Sequence, residues 1–171
     1  TDSAVTVALD TSGTATEGTD YGTISDITIS AGATTGTATL DPTDDNIYED
    51  DETATIDISS VSGKSGVTEN GTQQVSVTIT ENESAPTVTL ATSATSIAEN
   101  AGTSLTLTAT LSVATTADVT VALSTSGTAT EGTDYGTISD ITISAGATTG
   151  TATLDPTDDN VYEGDETATI D

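Results

Sequence analysis

The chain has 171 residues, with 28 acidic side chains against a single basic one, Lys64, for a formal net charge of −27. Phosphate binding needs clustered Lys and Arg, so nucleic acid is excluded as a partner and direct contact with an anionic membrane is disfavoured. Cys and His are both absent, which removes disulfides, thiolate metal sites and the usual catalytic nucleophile–base pairs.

Four Tyr are the only aromatics, and Met, Trp and Phe are missing, so any core is built from Val, Ile, Leu, Ala and Thr methyls. Runs that alternate with period 2 predict half-buried strands. In chain order from residue 52 they begin with ETATIDIS (52–59) and QQVSVTIT (73–80), the latter with Val75, Val77 and Ile79 inward. The connection between them holds Lys64 and the turn dipeptide Asn70-Gly71. ENESAPTVTL (81–90) reads as a linker: polar residues, then Pro86, which fixes its own φ and restricts Ala85. TVTLAT (87–92) is the next strand, followed by SLTLTATL (104–111) with Leu105, Leu107, Ala109 and Leu111 on one face. DVTVALS (118–124) places Val119, Val121 and Leu123 inward. ISDITIS (138–144) and GTATLD (150–155) follow, joined by the Gly-containing turn AGATTG. No segment has a helical period.

Residues 5–57 and 119–171 are nearly the same text at an offset of 114; only Asp10/Ser124, Ile47/Val161 and Asp50/Gly164 differ. A repeat of this length suits one small sandwich per copy. The expected fold is all-β, an immunoglobulin-like seven-stranded antiparallel β-sandwich in tandem. Residues 1–85 are expected to form a domain lacking its N-terminal strands, and 86–171 the next domain lacking its C-terminal strands.

The stretch TDDNIYEDDE (43–52) gathers Asp44, Asp45, Glu49, Asp50, Asp51 and Glu52 with no basic residue near them. Its copy carries Asp158, Asp159, Glu163, Asp165 and Glu166. If each strand of the sandwich reverses the last, this loop shares one pole with Glu99, Asp134 of GTDYG, and Glu81 and Glu83 after the final strand. Ionised carboxylates crowded at one pole require a counter-charge. Calcium fits, because it takes 6–8 oxygen ligands; magnesium demands a rigid octahedron, and zinc normally calls on His or Cys.

The segment SGTATEGTDYGTISDITISAGATTGTATLDPTDDNIYEDDETATIDI (12–58) resembles the Calx-beta domain, the module of sodium–calcium exchangers, an integrin subunit and large bacterial surface proteins. The matching features are Gly-Thr-Ala ahead of Asp-Tyr, the Gly-containing turn, and Asp-Asp-x-Ile-Tyr-Glu-x-Asp-Glu. The resemblance implies calcium ligation by Asp20 and Asp134, by Asp44, Asp45, Asp158 and Asp159, and by Glu49, Glu52, Glu163 and Glu166. An acidic residue leading into the second strand implies Glu99. The family often ends its last strand in an Asp run, whereas this chain has TENES (80–84); the resemblance leaves open whether Glu81 or Glu83 ligates.

Other residues read as structural. Tyr21 and Tyr135 are expected as core or loop anchors, Tyr48 and Tyr162 at the base of the acidic loop, and Glu17 and Glu131 facing solvent. NGT (70–72) and NES (82–84) match the glycosylation sequon, a weak signal. A glycosidase-type carboxylate pair would need an aromatic-lined cleft, so no enzyme is expected. The expected role is a calcium-binding extracellular or cell-surface spacer in a long adhesin-type array, partnered by neighbouring repeats. A calcium sensor is the alternative. A filament subunit is another, in which identical chains exchange strands.

Overall fold

The computed structural model describes residues 1–171. Apart from one 3-10 turn at Glu99–Ala101, all regular structure is strand, as the alternating pattern predicts. The strands fall into two compact units, one of Thr1–Asp45 with Asp50–Asn82, the other of Asn46–Glu49 with Glu83–Asp171.

In chain order the first five strands are β1 (Val5–Gly13), β2 (Ile27–Ile29), β3 (Ile47–Tyr48), β4 (Glu52–Ser62) and β5 (Gln74–Ile79). Four of them make the antiparallel sheet of the first unit, in the order β2-β1-β4-β5. Val5 pairs with Ile29 and Val7 with Ile27, so the β-branched residues of β1 and β2 share a face. The β1–β4 ladder slips at Ala8/Leu9, a bulge that adds local twist. Ala15, Tyr21 and Ala54 are buried together, with Ile24, Leu40, Ile56 and Ile79 against them. Val75 and Val77, expected inward, are instead 61% and 37% exposed. Their face of the sheet has no second sheet across it within this unit.

The second unit adds β6 (Val88–Thr92), β7 (Leu105–Leu111), β8 (Ala114–Thr115), β9 (Val119–Val121), β10 (Thr125–Gly127), β11 (Ile141–Ile143), β12 (Thr149–Leu154) and β13 (Ala168–Ile170). One sheet runs β12-β7-β6; β11-β9 and β10-β13 form antiparallel pairs, and β3 lies parallel to β8. Leu107, Ala109 and Leu111 of β7 pack with Ile141 and Ile143 of β11, and Val119, Val121 and Ala152 join them. The inward residues of two sheets therefore meet in one apolar layer, the arrangement of a sandwich. The alternation Leu-Thr-Ala-Thr along β7 and β12 supplies the buried face and leaves the other to solvent.

Copies of one sequence differ here. GTATL at 150–154 lies within β12, while the same letters at 36–40 have no ladder partner.

Candidate metal centre

The turn Thr130–Tyr135 is built to present one carboxylate. The Thr130 carbonyl accepts the amides of Thr133 and Asp134, at 3.1 and 2.9 Å. The Thr130 amide donates back to Oδ2 of Asp134 at 2.5 Å, closing the turn through a side chain, as Asp does well. Gly132, at φ 85°, supplies the left-handed residue that this path requires. Tyr135 is 3% exposed and bridges to Pro156, so the turn is anchored in the core. The amide of Thr157 donates to the Asp134 carbonyl at 2.9 Å. The chain leaving β12 is thereby held beside Asp134, and the acidic loop starts there.

That loop returns two carboxylates to the turn. One oxygen each from Asp134, Glu163 and Glu166 lies within 4.8 Å of the others. Glu163 and Glu166 are exposed, yet both carboxyls sit above their usual range. For Glu163 the causes are local desolvation, then the charges of Asp134, Asp159 and Glu99. For Glu166 they are local desolvation, the charge of Asp134, a hydrogen bond shared with it, and then Glu163 and Glu99. Because the two side chains remain solvent-exposed, the surrounding like charge is the feature that sets them apart from other surface Glu. Glu99, on the 3-10 turn, is thus electrostatically part of the same pole. Asp159 also accepts the Val161 amide at 2.6 Å.

Beside the triad, Glu99, Ser104, Asp155 and Asp158 line an open depression of about 340 Å³. Asp155 accepts the Ser104 hydroxyl. Asp155 is not among the residues singled out by its sequence pattern, although it follows β12 directly and leads into the acidic loop.

In the first copy, Asp20, Glu49 and Glu52 likewise bring their oxygens within 4.8 Å of one another. The Thr16 amide donates to Asp20 Oδ2 at 2.5 Å, the same turn closure as at Asp134. Asp44 and Asp45 stand outside this triad. Asp44 accepts the side-chain amide of Asn82 at 2.8 Å, and Asp51 accepts the backbone amide of Glu81 at 2.9 Å. The chain after β5 is therefore tied to the acidic loop, as the one-pole argument expects. The ties run through Asn82 and the Glu81 backbone, and the carboxylates of Glu81 and Glu83 are not in the triad.

Glu17, Glu131 and Tyr162 lie otherwise than the sequence predicts. Glu17 and Glu131 do not face solvent. Glu131 Oε2 accepts the Thr125 hydroxyl at 3.0 Å, and its Oε1 accepts the Ile138 amide at 3.2 Å. Glu17 accepts the Thr11 hydroxyl at 2.9 Å. Each is half-buried and braces the strand leading into the Asp-Tyr turn. Tyr162 is 98% exposed rather than packed under the loop, whereas Tyr21 and Tyr135 are the buried anchors expected.

A cation suits this donor set. Three carboxylate oxygens within 4.8 Å of one another have the spacing of neighbouring ligands in a calcium shell, whose oxygens lie about 2.3–2.6 Å from the ion. No side chain can stand in for it, because Lys64, the single basic residue, pairs with Asp2 at 2.5 Å. No curated protein matches the chain closely. No helix is long and apolar enough to cross a membrane. The family profile of the Calx-beta domain matches residues 1–83 and again residues 81–171. Domains of this kind are non-catalytic, calcium-associated repeats. The antiparallel β-architecture, the twice-built carboxylate pole and the two adjacent matches agree: the chain belongs to the Calx-beta family.

Proposed function

We propose that this chain is a calcium-binding structural repeat of an extracellular, adhesin-type array, with calcium held at the acidic pole of each copy. The observation that carries this reading is the triad of Asp134, Glu163 and Glu166, which has no cationic side chain to offset it. Asp20, Glu49 and Glu52 form the corresponding set in the first copy. Asp134 is held by its own turn, while the two Glu arrive on a loop whose exposed carboxylates repel one another. Calcium would supply the missing charge and draw that loop onto the turn.

A spacer role follows from composition and repetition. Nearly identical copies provide length, and net charge of one sign keeps a long molecule from self-association. The ties from Asn82 to Asp44 and from the Glu81 amide to Asp51 support a stiffening effect. Ordering the acidic loop would also order the chain where it leaves β5.

Binding to the folded state alone stabilises it by mass action, roughly 2.7 kcal/mol at a hundredfold excess over Kd. The test is thermal unfolding in millimolar calcium and again in excess chelator. A midpoint that falls sharply on chelation is expected. An unchanged midpoint would sink the metal-site reading.

A further inference from the structure

We infer that Asn70 modifies itself: its side-chain amide is converted to a carboxylate by attack of the next backbone nitrogen, assisted by the side chain of Gln73. The residues concerned lie in the connection between β4 and β5. The chain has Asn at 46, 70, 82, 100 and 160, and Asn70 alone is followed by Gly. Asn70 and Gly71 are both exposed, and Gly71, at φ 74°, has open space where a Cβ would be. The hydrogen bond at Asn70 is made by its backbone carbonyl, which leaves the side chain free to turn, and the Gly71 amide donates to no carbonyl. The other Asn are held or blocked. The Asn82 side-chain amide donates to Asp44 at 2.8 Å. After Asn100 and Asn160 the next amides are engaged, Ala101 with the Ala98 carbonyl at 3.1 Å and Val161 with Asp159 at 2.6 Å. Asn46 is followed by Ile47, which is β-branched and paired in β3.

Gln73 makes this more than an exposed Asn-Gly turn. It sits directly ahead of β5, where its amide donates to Glu69 Oε1 at 2.5 Å and its carbonyl accepts the Ile58 amide at 3.4 Å. From that anchored position its side-chain Nε2 donates back to the Asn70 carbonyl oxygen at 2.8 Å. This carbonyl and the Gly71 nitrogen belong to one peptide group. When hydroxide removes the Gly71 amide proton, the negative charge is shared between that nitrogen and the Asn70 oxygen. A donor already placed on the oxygen stabilises the charge as it develops. The nitrogen then attacks Cγ of Asn70, which the chain keeps close by. The new N–Cγ bond closes a succinimide ring, the Cγ–Nδ2 bond breaks, and Nδ2 takes a proton from water and leaves as ammonia. Water then opens the ring at either carbonyl and leaves Asp or its β-linked isomer. In sum, an amide and a water become a carboxylic acid and ammonia. The product adds a carboxylate beside Glu69 to a chain already at −27, and removes the acceptor amide of the NGT sequon. None of this rests on calcium.

The test incubates the folded chain in mildly alkaline buffer and follows each Asn by peptide mass analysis, which reads the amide-to-acid change. Asn70 should convert ahead of the other Asn. Gln73→Leu removes the donor and should slow Asn70 by roughly two- to tenfold, the worth of one hydrogen bond. Gln73→Glu keeps the length but offers no donor, and should slow it at least as much. Gln73 is exposed, so neither change removes a core contact, and a β-type far-ultraviolet spectrum checks each fold. A free peptide of residues 66–75 is the reference. There the same substitutions should have no effect, because only the fold holds Gln73 against the Asn70 carbonyl. The inference is overturned if Asn70 converts no sooner than the other Asn, or if both variants convert at the native rate. It is overturned equally if Gln73→Leu slows the free peptide as much as the folded chain.

Discussion

Asp10 of β1 and Asp57 of β4 face each other directly across an antiparallel ladder. In the second copy the same pair is Ser124 and Asp171, which exchange backbone hydrogen bonds at 2.8 and 2.9 Å. Asp57 is partly answered by the Gln74 side-chain amide at 3.0 Å, but nothing cationic lies opposite Asp10. Like charges opposed across strands destabilise a sheet by about 0.2–1 kcal/mol. Asp10→Ser, which copies the second repeat, should raise stability by that amount at low salt. The gain should shrink as salt is added. Urea unfolding at two ionic strengths measures both. A loss of stability would show that Asp10 has a role the ladder does not reveal.

Asp134→Asn and Glu166→Gln should each reduce calcium bound by the second copy. Asp10→Ser should leave uptake unchanged, since Asp10 belongs to neither triad and faces Asp57 across the ladder. Isothermal titration of the three variants separates them. Equal losses in all three would mean that net charge, rather than the triad, governs binding.

The titration of the pole has a definite sign. Glu163 and Glu166 are raised above the ordinary value of 4.5, chiefly by local desolvation and the neighbouring carboxylates. A raised folded pKa favours the fold while the group is protonated, and the advantage is lost as pH rises through that pKa. In chelator, the melting midpoint should therefore fall as pH climbs from 4.5 toward neutrality. Glu163→Gln with Glu166→Gln should flatten that fall. With calcium present the slope should weaken or invert, because the ion competes with protons for the same oxygens. A midpoint in chelator that rises steadily with pH would contradict the repulsion.

Gly127 ends β10 at φ 123°, and a Cβ there would run into the Thr167 carbonyl oxygen. That oxygen already accepts the amides of Thr128 and Ala129, at 2.9 and 3.1 Å, just ahead of the Asp134 turn. Gly127→Ala should cost roughly 1–3 kcal/mol through strain and a shifted β10–β13 pair, and it should weaken calcium binding by moving the turn. Gly132 also has positive φ but open space around a Cβ, so Gly132→Ala should cost less. Chemical denaturation of both variants gives the comparison. Equal costs would mean that φ alone, rather than the Thr167 contact, sets the penalty.

Much of the protein was legible in its letters because the determinants are local. Period-2 runs of Val, Ile, Leu and Thr marked the strands β7, β9 and β11, and GTDYG was legible as a connection, here a turn in which the Asp134 side chain accepts the Thr130 amide. The pole could be expected too, since alternating strand directions bring Glu99, Asp134 and the 158–166 loop to one end. Glu131 could not be read as a brace, because its partners, Thr125 and Ile138, become its neighbours only when the chain folds back. Nor could the sequence separate its own copies. GTATL is a strand at 150–154 and unpaired at 36–40, although the letters are identical. A strand is completed by hydrogen bonds from another segment, and β7, more than 35 residues earlier in the chain, supplies them to one copy alone. Composition and alternation determined that these residues could be β-structure; the presence of a partner edge decided where they were.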